Sequence, residues 1–283
     1  MRIDAHQHYW SVRRGDYGWL TPALAPLYRD WAPEDLQPEL SRLGIDGTVL
    51  VQAAPTLAET NYLLDLAART PSVLGVVGWV DLTSVETPAV LDALSANHTF
   101  KGVRPMLQDI PEDDWIVRAP IGAALDRLTE LGLRFDALVR SKHLPYLLER
   151  VKRHPELPVV IDHVAKPNIA GGELAVWRER IAPLARAPRV YCKLSGLLTE
   201  APPGSGRDVL APYVDTVLEL FGPERLMWGS DWPVLNIAAR YATWATLTDQ
   251  LLEGLSAEER QAVLGGTAVR FYGLSPASTK ETL

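Results

Sequence analysis

Two histidines one residue apart, His6 and His8, lie within the first ten residues beside a carboxylate, Asp4. On an extended strand alternate side chains share a face, so Asp4, His6 and His8 are expected to point the same way. Two imidazoles and a carboxylate on one face have little use in a core and suit a strand that runs into an active site. The competing reading is an exposed N-terminal segment with an incidental histidine pair, and the rest of the chain decides between them. Further polar groups stand at the ends of later apolar runs: Arg104, Asp136, Asp162 and His163, Lys193 and Ser195, and Asp231. Ionisable side chains are rarely buried without a partner, so this many at matching ends of different strands is hard to explain as packing. His98, His143 and His154 fall in connections or near helix ends, where surface or capping roles are the default. Cys192 neighbours Lys193, and strand alternation turns it away as a buried structural thiol.

The elements that must position these groups alternate regularly. Apolar runs at 47–52, 73–81, 100–105, 134–139, 158–163, 190–196 and 225–231 read as buried strands, and with the first strand they make eight. Helical patterns at 33–43, 59–69, 87–96, 120–131, 144–153, 173–184 and 208–221 separate them, and two more close the chain, the last with the capping-box pair Ser256 and Glu259. Eight βα units without a linker predict an α/β fold, a single (β/α)8 barrel over residues 1–283. An open doubly wound sheet would share the alternation, but no glycine-rich phosphate fingerprint follows the first strand. In a barrel the carboxyl ends of the strands form the active face, which is where the polar residues collect. Residues 9–33 are rich in proline and rings, including Trp10, and predict a lid loop; packing onto the barrel is the alternative for any one ring.

Composition bounds the partners. The apolar fraction is 47%, the charged fraction 22% and the net charge −7, and no Lys/Arg cluster of the kind that tracks phosphates is present, so nucleic acid is not expected. A single cysteine excludes an intrachain disulfide and any multi-cysteine metal site. No apolar run approaches the roughly 18 residues of a membrane span, and no signal-peptide pattern precedes the first strand. A cytoplasmic enzyme acting on a small molecule is the expectation.

A first-strand His-x-His, a histidine ending strand six and an aspartate ending strand eight, on eight βα units, resemble the amidohydrolase superfamily. Within it, Ile3-Asp4-Ala5-His6-Gln7-His8, Asp162-His163-Val164-Ala165-Lys166-Pro167, Cys192-Lys193-Leu194-Ser195-Gly196 and Gly229-Ser230-Asp231-Trp232-Pro233 are similar to the branch that contains sugar lactonases and the pyrone-dicarboxylate lactonase. Two-metal members of the superfamily carry a bridging carboxylated lysine on strand four and a histidine at the end of strand five. Arg104 and the Phe135-Asp136 region stand in those places, so a two-metal centre lacks its bridge. A single Zn²⁺ or other divalent metal on His6, His8 and Asp231, with His163 nearby, is chemically reasonable because two imidazoles and a carboxylate leave an open position for water. The lactonase branch also implies that the metal can be dispensable.

The resemblance implies hydrolysis of a sugar-derived lactone, such as L-fuconolactone or L-rhamnonolactone. Asp231 would activate water as general base, with burial expected to raise its pKa. His6, His8, His163, Arg104 and Lys193 would polarise the carbonyl, and Arg104, Lys193, Trp232 and Trp10 would contact substrate. The rival activities are a dicarboxylate lactonase, with Arg104 and Lys193 gripping a carboxylate, and a metal-dependent decarboxylase. A non-catalytic binding barrel is the reading outside enzymes, against which Asp231 and the paired histidines argue. Asn236, the acidic segment 109–114 and the loop 197–206 are candidates for substrate selection, with solvated surface as the competing reading.

Overall fold

Segments such as Gly47-Thr48-Val49-Leu50-Val51 are apolar on both faces, which suits parallel strands covered on one side by helices and on the other by a packed lumen. The computed structural model describes residues 1–275 and shows eight such strands. They are β1 (Ile3–Gln7), β2 (Gly47–Val51), β3 (Val73–Gly78), β4 (Phe100–Val103), β5 (Arg134–Ala137), β6 (Val159–Ile161), β7 (Val190–Leu194) and β8 (Leu226–Trp228). All pair in parallel in the order β1 to β8, with helices between them, as in a (β/α)8 barrel. Alternation divides the strands between two cores. Val49, Val51, Val77, Val160 and Met227 join Ile3 and Ala5 in one apolar cluster, closed off by Phe271 and Tyr272 of the last described helix. Leu50, Val76, Phe135, Ile161 and Cys192 face the other way into a larger cluster shared with the surrounding helices.

Helix starts and stops follow local chemistry. Pro33–Leu43 begins on a proline and ends at Gly44, whose φ of 63° is left-handed. Ser256 and Glu259 form the reciprocal capping box expected of them. Among the described residues no helix is long and apolar enough to cross a membrane.

The seam between β8 and β1 is closed just beyond the strands, where Asp231 N–H donates to His6 O at 2.8 Å and His8 N–H donates to Trp232 O at 2.7 Å. The segment after β1 folds over this end of the barrel. Trp10 and Trp31 exchange backbone hydrogen bonds at its base, and Trp10, Tyr17, Leu20 and Leu27 pack with Ala53 and Ala54 beyond β2.

One expectation fails in β1. Its pairing with β2 shifts register between Asp4 and Gln7, and the shift breaks the alternation that would have put Asp4 beside the histidines. Asp4 instead accepts from Ser230 N–H at 2.8 Å, Ser230 Oγ at 2.6 Å and Tyr241 OH at 2.9 Å, tying β1 to the chain beyond β8. His6 lies within the irregular stretch and His8 beyond it.

Candidate active site

Beyond the strand ends, Asp231 meets three imidazoles. Its Oδ1 lies 3.3 Å from His8 Nε2 and 3.8 Å from Nε2 of both His6 and His163, while the His6 and His8 Nε2 atoms are 3.2 Å apart. His8 Nδ1 faces the carbonyl of Val51 at 2.7 Å. A carbonyl only accepts, so Nδ1 carries the proton and the neutral ring directs the Nε2 lone pair at Asp231. Two acceptors 3.3 Å apart are reconciled by a proton or a cation between them. Among the described residues, His6, His163 and Asp231 form a group whose ligand atoms all lie within 4.8 Å of one another, which could hold a metal ion. With His8 beside them, these N and O donors fit a divalent cation.

His163 reaches the site on unusual backbone. β6 ends at Ile161, and His163, Val164, Ala165 and Lys166 follow with φ of 52°, 48°, 61° and 47°. Four consecutive non-glycine residues in left-handed conformation cost on the order of 1–2 kcal/mol each. The turn is held by Lys166 N–H on His163 O at 2.8 Å and Trp177 Nε1–H on Val164 O at 2.7 Å. A hydrogen bond of 2.9 Å links His163 Nδ1 and Ser195 Oγ. Gly196 leaves room for the ring, since a Cβ there would sit 2.8 Å from the His163 side chain.

A cavity of about 240 Å³ opens onto this cluster. His8, Arg104, His163, Lys166 and Asp231 line it, together with the apolar side chains of Trp19, Leu24, Leu27, Val234 and Ile237. Gln108 and Asp109 also reach the cavity.

The amidohydrolase family model matches residues 3–274. The chain belongs to that family. Within it, the chain is 46% identical to an L-fucono-1,5-lactonase of Burkholderia ambifaria, over 98% of this chain and 97% of that protein. It is 36% identical to an L-fucono-1,5-lactonase of Burkholderia multivorans, over 99% of each. A crystal structure of an amidohydrolase from Burkholderia multivorans with bound zinc superposes with a TM-score of 0.92 at 37% identity, covering 97% of this chain and all of that one.

Within this amidohydrolase framework three expected substrate contacts lie elsewhere. Lys193 is fully buried beneath the site, 2.5 Å from Asp136 Oδ2, 3.1 Å from Asp162 Oδ1 and 3.1 Å from His6 Nδ1, because two lumen carboxylates claim its charge. Trp10 is 1% exposed and packs edge-on behind Trp19 at 5.4 Å, its Nε1–H on Arg29 O. Trp232 is buried against Tyr9 and Trp31. None of the three lines the cavity. Arg104 does, although its guanidinium already holds the Gln52 carbonyl, Gln52 Oε1 at 3.3 Å, His6 Nε2 at 3.3 Å and Asp162 Oδ2 at 3.5 Å.

Of the selection candidates, Asp109 reaches the cavity, while Asn236 and the loop 197–206 are absent from its lining. Trp19 is one of several rings the sequence offers for this loop, and Lys166 stands in the Asp162–Pro167 motif without a role of its own. Nothing in a loop's composition says which of several rings faces inward, and a left-handed turn without glycine leaves no local signature.

The expected rise in the Asp231 pKa is also reversed. Burial pushes the carboxyl up, but the imidazoles that face it, His163 first and then His8 and His6, outweigh it and hold Asp231 well below the ordinary range. Burial lowers all three histidines, His163 to about 4. At neutral pH the site therefore presents an ionised carboxylate among largely neutral imidazoles. Burial drives the Cys192 thiol upward, as suits an inert core residue.

Proposed function

We propose that the protein hydrolyses the ring ester of a six-carbon aldonolactone of the L-fucono-1,5-lactone type, with Asp231 activating the attacking water. That it is a lactone hydrolase of sugar-derived substrates rests on the 46% full-length identity to the Burkholderia ambifaria L-fucono-1,5-lactonase, the observation that carries this reading. The cavity supports the choice of sugar. A 6-deoxy lactone has a methyl group that suits the apolar side chains of Trp19, Leu24, Leu27, Val234 and Ile237, and hydroxyls that suit Gln108 and Asp109. A dicarboxylate fits less well, because the Arg104 Nη atoms are engaged by Gln52, His6 and Asp162, which leaves the Lys166 ammonium against two carboxylates, and Asp109 repels the second.

In the reaction Asp231 takes a proton from water as the oxygen bonds to the carbonyl carbon. The ring C–O bond then breaks, and the departing oxygen takes that proton back to become the hydroxyl of the open acid. His8 and His163, with Nδ1 bonded to Val51 O and Ser195 Oγ, present Nε2 to the reacting centre in fixed orientation. An ionised Asp231 is a weak base, which suits an activated cyclic ester better than an amide.

His6, His163 and Asp231, with His8 adjoining, would hold a divalent cation such as Zn²⁺, which when bound supplies Lewis acidity. Proton release on a panel of lactones tests the assignment. Turnover of L-fucono-1,5-lactone is expected to exceed that of its 6-hydroxy counterpart and of pyrone dicarboxylate; no turnover of any lactone would overturn it.

A further inference from the structure

Hydrolysis turns a carbonyl oxygen into an oxyanion, and a weak base makes the reaction depend on a positive group waiting for that charge. Among the described residues Lys193, Arg104 and Lys166 are the cations to weigh, and the terminal nitrogens of the first two are bonded elsewhere. Lys193 is locked between Asp136 and Asp162 below the cavity. The Arg104 Nη atoms are engaged by Gln52, His6 and Asp162.

Lys166 differs from both. It lines the cavity with Asp231 and His163, its side chain is 16% exposed, and among the described residues its ammonium makes no hydrogen bond. Among the described residues the one carboxylate within 4.0 Å is Glu200, at that limit and itself 3.9 Å from Arg140. The left-handed turn that delivers His163 also delivers Lys166, so the imidazole and the ammonium are set on the cavity by one piece of backbone.

We propose that Lys166 is a catalytic residue, the group that receives the lactone carbonyl oxygen as it becomes the oxyanion. This rests on the lactonase reading above. The ammonium donates a hydrogen bond to the oxygen without transferring its proton, and the charge returns to the acyl group as the ring C–O bond breaks.

Steady-state kinetics on L-fucono-1,5-lactone with Lys166→Met, Lys166→Ala and Lys166→Arg tests it. Lys166→Met is expected to lower kcat by about 10²–10³-fold, the usual loss on removing one oxyanion donor, with KM changed little. Ethylammonium is expected to restore part of the activity of Lys166→Ala in a concentration-dependent way, and Lys166→Arg to retain more than Lys166→Met. Among the described residues the Lys166 ammonium has no hydrogen-bonded partner to orphan and only the 4.0 Å pair with Glu200 to lose, so melting temperatures near wild type are expected. An unchanged kcat, or an effect confined to KM, would overturn the proposal in favour of hydroxyl binding; loss of folding without amine rescue would also overturn it. A wild-type enzyme inactive on every lactone would instead remove the lactonase reading, and this inference with it.

Discussion

The backbone N–H of Asp231 donates to the carbonyl of His6 at 2.8 Å, so the hydrogen bond that closes the barrel seam also fixes the two side chains relative to each other. The carboxylate and the first-strand imidazoles are therefore held by sheet-like backbone geometry, although Asp231 itself has a φ of 59°. Asp231→Asn keeps the shape and the backbone bond but removes the proton acceptor. It should lower kcat by about 10²–10⁴-fold, the span usual for general-base catalysis, with an unchanged circular dichroism spectrum. Activity within tenfold of wild type would remove Asp231 from its role.

What was legible before the structure follows from periodicity. Eight apolar runs separated by helical patterns imply the barrel, and charged groups at strand ends mark one face, so His6, His8, His163 and Asp231 could be named together. Depth along a strand was not legible. Lys193 alternates into the lumen as expected, but whether it reaches substrate depends on the carboxylates of β5 and β6, which pairing order alone does not place. The irregularity that swings Asp4 to Ser230 and the turn that lifts Lys166 into the cavity arise from tertiary contacts, not from local sequence preference.

Lys193 is buried between Asp136 and Asp162 and is absent from the cavity lining. Lys193→Met leaves Asp136 and Asp162 without their common cation in a buried place, which typically costs about 3–5 kcal/mol. A lowered melting temperature is expected, with the KM of the remaining folded enzyme near wild type. A normal melting temperature with a raised KM would return Lys193 to substrate binding.

Metal binding can be read without reference to turnover. Calorimetric titration of chelator-treated protein with Zn²⁺ should show one ion per chain. His6→Ala and His163→Ala should each weaken it by more than the roughly 10–100-fold that loss of an outer partner costs. Equal affinity in His163→Ala would return the site to His6, His8 and Asp231.

The segment over the barrel mouth is tied down by a buried acid. Glu59 accepts from Tyr17 OH at 2.7 Å and from Ala53 N–H at 3.2 Å. Burial lifts its carboxyl from 4.5 to about 7, against these bonds and the charge of Arg14. A carboxyl raised in the folded state stabilises the fold while protonated. That contribution is complete below the unfolded value near 4.5 and is lost as pH rises through about 7, a change on the order of 3 kcal/mol. Glu59→Gln cannot ionise, so its melting temperature should gain on wild type by several degrees between pH 5 and pH 8. A difference that stays constant across that range would show that Glu59 does not titrate there.

The closed seam has a consequence for how the enzyme comes into being. His8 and Asp231 touch across 223 positions of sequence, so a growing chain carries His6 and His8 long before it receives His163 and then Asp231. No shorter nascent barrel holds a complete site, and on refolding the return of activity reports the joining of the first strand to the last.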